Sequence, residues 1–125
     1  MPRNVADVTE TELAILDVLW TREQSAVRDI VDTLYDGHTP TLHMTVKSLL
    51  ERLEAKGYVK CDRSGFAHHF SAKISREAYV GQQLKQLAES HFDGAVAPML
   101  LTLVDRAKLS RKDREAIRKI IEGIK

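Results

Sequence analysis

Apolar positions recur at helical spacing through the first part of the chain. Leu13, Leu16, Leu19 and Trp20 fall along one side of a first helix, and Thr9 with Glu12 has capping-box spacing at its start. A second helix is predicted from near Ser25, with Val27, Ile30, Val31 and Leu34 at i, i+3, i+4 and i+7. Asp36-Gly37-His38-Thr39-Pro40 stops it, because Gly is a common helix terminator and Pro lacks the amide hydrogen. A third helix follows, from Thr41 or Leu42 to Lys56, with an apolar stripe of Leu42, Val46, Leu49, Leu50 and Leu53. Gly57 suits the left-handed residue that closes such a helix.

After Gly57 the pattern turns strand-like. Tyr58 to Arg63 places Val59 and Cys61 on one side, Ser64-Gly65 marks a turn, and Phe66 to Ser71 supplies the returning strand. Helical spacing resumes at Ser75, which caps a segment holding Tyr79, Val80, Leu84, Leu87 and Ala88 and ending at Asp93-Gly94. Pro98 fits the first turn of the next helix, whose Met99, Leu100, Leu101, Leu103 and Val104 cover most of its circumference. Ser110, aided by Asp113, caps a final helix with Ile117, Ile120, Ile121 and Ile124 in one stripe.

Three helices followed by a β-hairpin is the element order of a winged helix-turn-helix. The expected fold is therefore mainly α with a small β-hairpin: a winged helix domain over residues 1–74 and an all-α dimerisation arm over residues 75–125. The arm's short apolar helices bury little surface within one chain, and assemblies of that size usually need a partner to complete a core. The interface assigned to the pair is Leu84, Leu87, Phe92, Leu100, Leu101, Leu103, Val104, Ile117, Ile120, Ile121 and Ile124. Helices folding back onto the first domain are the competing arrangement.

Composition narrows the class. Hydrophobic residues make up 43% and charged residues 30%, as in a soluble folded protein. No apolar run approaches the ~20 residues of a membrane-spanning helix. No leader-like segment opens the sequence, so no secretory signal is expected. Cys61 alone excludes an internal disulfide and paired-cysteine chemistry, and a reducing cytoplasm is the expected compartment.

The net charge of +1 conceals an asymmetry. Residues 1–40 carry three basic side chains against eight acidic ones, whereas residues 41–75 carry six basic against three acidic. Four of the five histidines fall between positions 38 and 69. The middle of the chain thus has the cationic character that nucleic acid favours.

The third helix has the two faces a DNA-reading helix needs, one buried on its own domain and one polar. Thr41, Met44, Thr45, Lys47, Ser48 and Arg52 project away from the apolar stripe, and His43, adjacent to this group, is a candidate donor to phosphate. Lys and Arg suit phosphates or guanine acceptors, hydroxyls bond either way, and Thr and Met carbons suit a thymine methyl. Glu51 and Glu54 repel the phosphate backbone, so base contacts are expected from the first turns, near Thr41 to Ser48. The hairpin tip Arg63-Ser64-Gly65 is the expected wing, with Lys60 and His68 on the same element.

From Leu42 to Val59 the chain resembles the recognition segment of the BlaI/MecI/CopY (penicillinase repressor) family, through Thr45-Val46, Leu49-Leu50, Arg52-Leu53 and Lys56-Gly57. The Leu19-Trp20 pair is similar to the end of that family's first helix, Phe92-Asp93-Gly94-Ala95 to its Phe-x-Gly-Ser, and Leu109-Ser110 to the start of its last helix. The resemblance implies a homodimeric winged-helix repressor on an inverted-repeat, double-stranded DNA operator, with Met44, Thr45, Lys47, Ser48 and Arg52 at recognition positions. In the penicillinase-repressor branch it also implies derepression by loss of the dimer, when a membrane-bound sensor-protease leads to cleavage in the arm. The matching bond is Thr102–Leu103, where the family commonly has Asn then Phe. Gly65 is followed by Phe66, where the family's wing often has Gly-Arg. Paired C-terminal cysteines, the mark of the copper-responsive branch, are missing, so thiolate metal sensing is not expected.

Two other classes remain open at this stage. A winged helix can serve protein contacts with no operator, although such surfaces more often show exposed aromatics or a larger apolar patch. An enzyme is disfavoured: no Gly-rich phosphate loop, nucleophile signature or cofactor motif appears. His68 and His69 would point to opposite faces of a strand, and His38 and His43, across Pro40, form no metal-spaced cluster.

Overall fold

The computed structural model describes residues 8–106 and 108–123; Ile124, assigned above to the dimer interface, lies outside them. Among the described residues the order is α1 (Glu10–Thr21), α2 (Val27–Leu34), α3 (Pro40–Ala55), β1 (Val59–Asp62), β2 (His69–Ala72), α4 (Arg76–His91), α5 (Val96–Arg106) and α6 (Arg111–Glu122). The chain is mainly α with one antiparallel hairpin, the architecture of a winged helix followed by helices. It divides into two compact units, one ending at Tyr79 and the other starting at Val80.

The first unit has a closed core. Ile15, Leu16, Val18 and Leu19 of α1 meet Val27, Ile30 and Val31 of α2, Val46, Leu50 and Leu53 of α3, and Tyr58, Val59 and Phe70 of the hairpin. Leu13 and Trp20, expected in the α1 stripe, are only partly buried, while Ile15 and Val18 go fully or nearly fully inside. The Trp20 indole donates to the Ile74 carbonyl at 2.8 Å, and its ring lies 5.6 Å from Tyr79, which in turn sits edge-on to Tyr58. These contacts draw the start of α4 into the first unit, so the unit ends five residues past the boundary expected at 74/75.

Local chemistry sets most element ends. Thr9 and Glu12 close a reciprocal capping box, with Oγ1 accepting from the Glu12 amide at 3.2 Å and Glu12 accepting from the Thr9 amide at 2.9 Å. Three expected boundaries move. Ser25 does not enter α2: its amide and carbonyl exchange hydrogen bonds with Phe70 at 2.9 and 2.8 Å, which holds it extended beside β2. Helix α3 starts earlier, at Pro40, because the first helical position needs no amide donor and Thr39 supplies the cap to Leu42 at 3.1 Å. Strand β2 starts late, at His69, because Asp62 pairs with His69 and Asp62 Oδ1 accepts from the Ser64 amide and hydroxyl, turning residues 63–68 into a loop. His68 therefore belongs to that loop and not to a strand. Gly57, at φ +88°, ends α3 in the left-handed region as expected.

Ser75 accepts from the Ala78 amide at the start of α4, still within the first unit, and in the second unit Asp93 and Gly94 take positive φ after the helix ends. Ser110 and Asp113 form a second reciprocal capping box on α6. Almost all apolar side chains here face solvent. Leu101 is 62% exposed, Ile120 is 65% exposed, and Ala88 alone among the described apolar residues from Val80 onward is buried.

Candidate nucleic-acid interface

Helix α3 is two-faced. Val46, Leu50 and Leu53 are fully buried, whereas Thr41, Met44, Thr45, Lys47, Ser48 and Arg52 are exposed. Met44 has 71% of its surface in water, a heavy exposure for so apolar a side chain. The first turns of the helix thus present two hydroxyl-bearing threonines, a serine, one methionine and one lysine as a contiguous surface.

His43 is half-buried because it faces His38 from the preceding loop: His38 Nε2 and His43 Nδ1 are 2.9 Å apart, with the rings edge to face. One nitrogen of the pair must carry the proton and the other accept it. No cluster of three or more metal-ligating side chains occurs among the described residues.

Two of the expected cationic contacts are already engaged. The Arg63 guanidinium donates two hydrogen bonds to Glu54, at 2.8 and 3.0 Å, fastening the wing base to the second half of α3. This bidentate pair holds the Glu54 carboxyl below its ordinary range. It also answers the problem raised by Glu54 in sequence, since its charge is matched on the protein. Arg52 lies 3.8 Å from Glu12, and so does not project freely. Lys60 is exposed on β1, as are His68 and Lys47 beside the loop.

Its spacing from Thr9 marks Glu12 only as a cap. Its side chain is fully buried, and Lys56 donates to both carboxylate oxygens, at 2.8 and 3.1 Å. Burial would raise its pKa, but the Lys56 hydrogen bond and the Thr9 amide prevail and leave it lowered. The pair clamps the start of α1 to the end of α3 and so fixes the tilt of the polar face. Helix position alone could not show this, because the partners are separated by 44 residues. Cys61 is half-buried and burial pushes its thiol pKa up, away from a reactive thiolate.

A cleft of about 300 Å³ lies between the start of α2, the α3 face and the wing loop. Arg28, His43, Lys47 and His68 line it with Val27, Ala67, Phe66 and Phe70. The residues assigned to the arm interface, Leu84, Leu87, Leu100, Leu101, Leu103, Val104, Ile117, Ile120 and Ile121, are exposed, and Phe92 is partly buried. Thr102 and Leu103 lie exposed within α5, where the Thr102 hydroxyl donates to the Pro98 carbonyl. No helix among the described residues is long and apolar enough to cross a membrane.

Comparison with known proteins adds two findings. The sequence model of the penicillinase repressor family matches residues 8–123, nearly the whole chain. A protein of Latilactobacillus sakei, described as an uncharacterized 16.5 kDa protein in the ptsI 3′ region, is 25% identical over 113 residues, covering 90% of this chain and 77% of that protein.

Proposed function

Because the chain belongs to the penicillinase repressor family of DNA-binding transcriptional regulators, we propose that it acts as a homodimer on an inverted-repeat operator, with the first turns of each α3 in a major groove. Its family consists of transcriptional repressors, not enzymes. The observation that carries the proposal is the exposed surface of Thr41, Met44, Thr45, Lys47 and Ser48 on a helix whose opposite face is locked into the core. Hydroxyls and apolar carbons at these positions suit base edges, and Lys47 suits a guanine or a phosphate. Lys60 and His43 serve the backbone. Arg52 and Arg63, held by carboxylates, act by fixing the helix and the wing.

The exposed apolar residues of α5 and α6 supply the pairing surface. Two half-sites bound by one dimer gain an effective-concentration advantage that a monomer lacks. Loss of the pair is then the derepression step, and Thr102–Leu103 is the bond whose cleavage, triggered by a membrane-bound sensor-protease, would cause it. The site of action is the bacterial cytoplasm.

The test is a gel shift against fragments of the host chromosome, followed by titration at increasing ionic strength. Retention of a discrete fragment, with affinity falling steeply as salt rises, is the expected outcome. Lys47→Ala should lower the salt slope by about one if it meets phosphate, or relax one base position if it reads guanine. A chain that retains no fragment at any salt concentration refutes the proposal.

A further inference from the structure

Phe66 is fully exposed at the wing, an uncommon placement for a phenylalanine that is not covered by something else. It stands at the rim of the cleft between the wing loop and α3. The cleft is lined by Arg28 from α2, His43 and Lys47 from α3, and His68 from the wing loop. No carboxylate lines it. Two acids of α2 sit close by without lining it: Asp29 accepts from the Ala26 amide at its edge, and Asp32 lies 4.0 Å from Arg28, one helical turn on.

We infer that this cleft seats one backbone phosphate of duplex DNA and that Phe66 closes over the adjoining deoxyribose. The inference rests on the proposed DNA-binding role and deepens it. Charge complementarity selects the occupant, because a polyanion whose charges alternate with apolar sugar faces matches cations set beside an exposed ring. The cleft also abuts Lys47, on the face of α3 proposed to enter the groove, so a strand followed by that helix passes it. Such a contact is blind to sequence. It substitutes apolar contact for the arginine that family resemblance leads one to expect after Gly65, while Arg28 and Lys47 provide the charge and the two histidines line the cleft.

The experiment uses the full chain with two 40-base-pair duplexes, one carrying the retained fragment and one a scrambled sequence of equal composition. Phe66→Ala should weaken both by the same factor, about fivefold, as expected for loss of a buried apolar contact. Its salt slope should equal the parent's, whereas Arg28→Ala should lower the slope by about one. Phe66→Trp should show an indole emission change on adding either duplex, with the parent chain, carrying Trp20 alone, as the baseline. Because Phe66 packs against no core residue, the unfolding midpoint of each Phe66 variant should match the parent's.

If the parent binds and the Phe66 variants bind both duplexes as tightly, with no added emission change, the inference is overturned and the DNA-binding proposal stands. Loss confined to the specific duplex overturns it too, since Phe66 would then be reading bases. If the parent binds neither duplex, the DNA-binding proposal itself has failed.

Discussion

The two units of this chain handle their apolar residues in opposite ways. Up to Tyr79, large side chains from three helices and a hairpin converge on one closed core, and most exposed positions are polar. From Val80 onward α5 is rich in apolar residues and α6 opens on a full capping box, yet Val96, Leu100, Leu101, Leu103, Val104, Ile117, Ile120 and Ile121 all face water. Good local signals make helices in both units. Only in the first do the helices find each other within the same chain. Burial, more than helix content, separates a region with a closed core from one whose apolar side chains stay in water.

That contrast can be broken most forcefully in the core. Leu50→Ala, at a fully buried position, should cost the first unit about 3 kcal/mol in denaturant unfolding. An equal substitution at Leu101 should barely move the same transition, because its side chain is largely solvated. Leu101→Asp should instead act on association: sedimentation should show a folded monomer, and operator affinity should fall by about a hundredfold. An unchanged dimer would place the pairing surface elsewhere.

Glu12→Gln tests whether the first unit's polar clamp matters as its apolar core does. Removing the charge leaves Lys56 beside a neutral amide, and a loss of about 2 kcal/mol is expected, less than for a wholly buried pair because Lys56 keeps some contact with water. The pH dependence follows from the lowered carboxyl pKa. Its stabilisation is complete above the ordinary carboxylate range and is lost as pH falls through the folded-state value. Unfolding midpoints measured down an acid series should therefore drop less for Glu12→Gln than for the parent.

The smallest effect belongs to the wing. Arg63→Ala should leave the unfolding transition unmoved, since the Glu54 pair is solvent-exposed. It should weaken DNA binding several-fold by releasing an unmatched carboxylate on α3. Adding Glu54→Gln should restore most of that loss if Arg63 acts through Glu54, and none of it if the guanidinium grips phosphate directly.

Much of this organisation is legible in the residues. Capping boxes at Thr9 and Ser110, the α3 stripe and the left-handed Gly57 are encoded within a few positions of each other, so local spacing suffices to find them. Ser25, Arg63 and Glu12 are different. Ser25 is a good helix starter in isolation, but two backbone bonds to Phe70 override its preference. Arg63 reads as a free cation until the hairpin brings it onto Glu54, and Glu12 reads as a surface cap until Lys56 arrives from the far end of α3. What stays hidden from sequence in each case is a partner delivered by the tertiary fold. The α3 surface was readable because one helix carries all of it; the cleft was not, because α2, α3 and the wing loop each bring a part.

The tie between Ser25 and Phe70 bears on how this molecule tolerates changes in chain length. The connector at Arg22 to Gln24 is anchored at both ends, by the close of α1 and by the paired residue after it. One inserted residue there would reverse which way Ser25 faces, or force a kink to absorb the slip. Residues 63–68 lie beyond the last rung at Asp62 and His69, so extra residues there leave the strand register intact but shift Phe66 and His68 at the cleft. A graft at the hairpin tip therefore spares the fold at the expense of the cleft, whereas one in the first inter-helix link strains the fold itself.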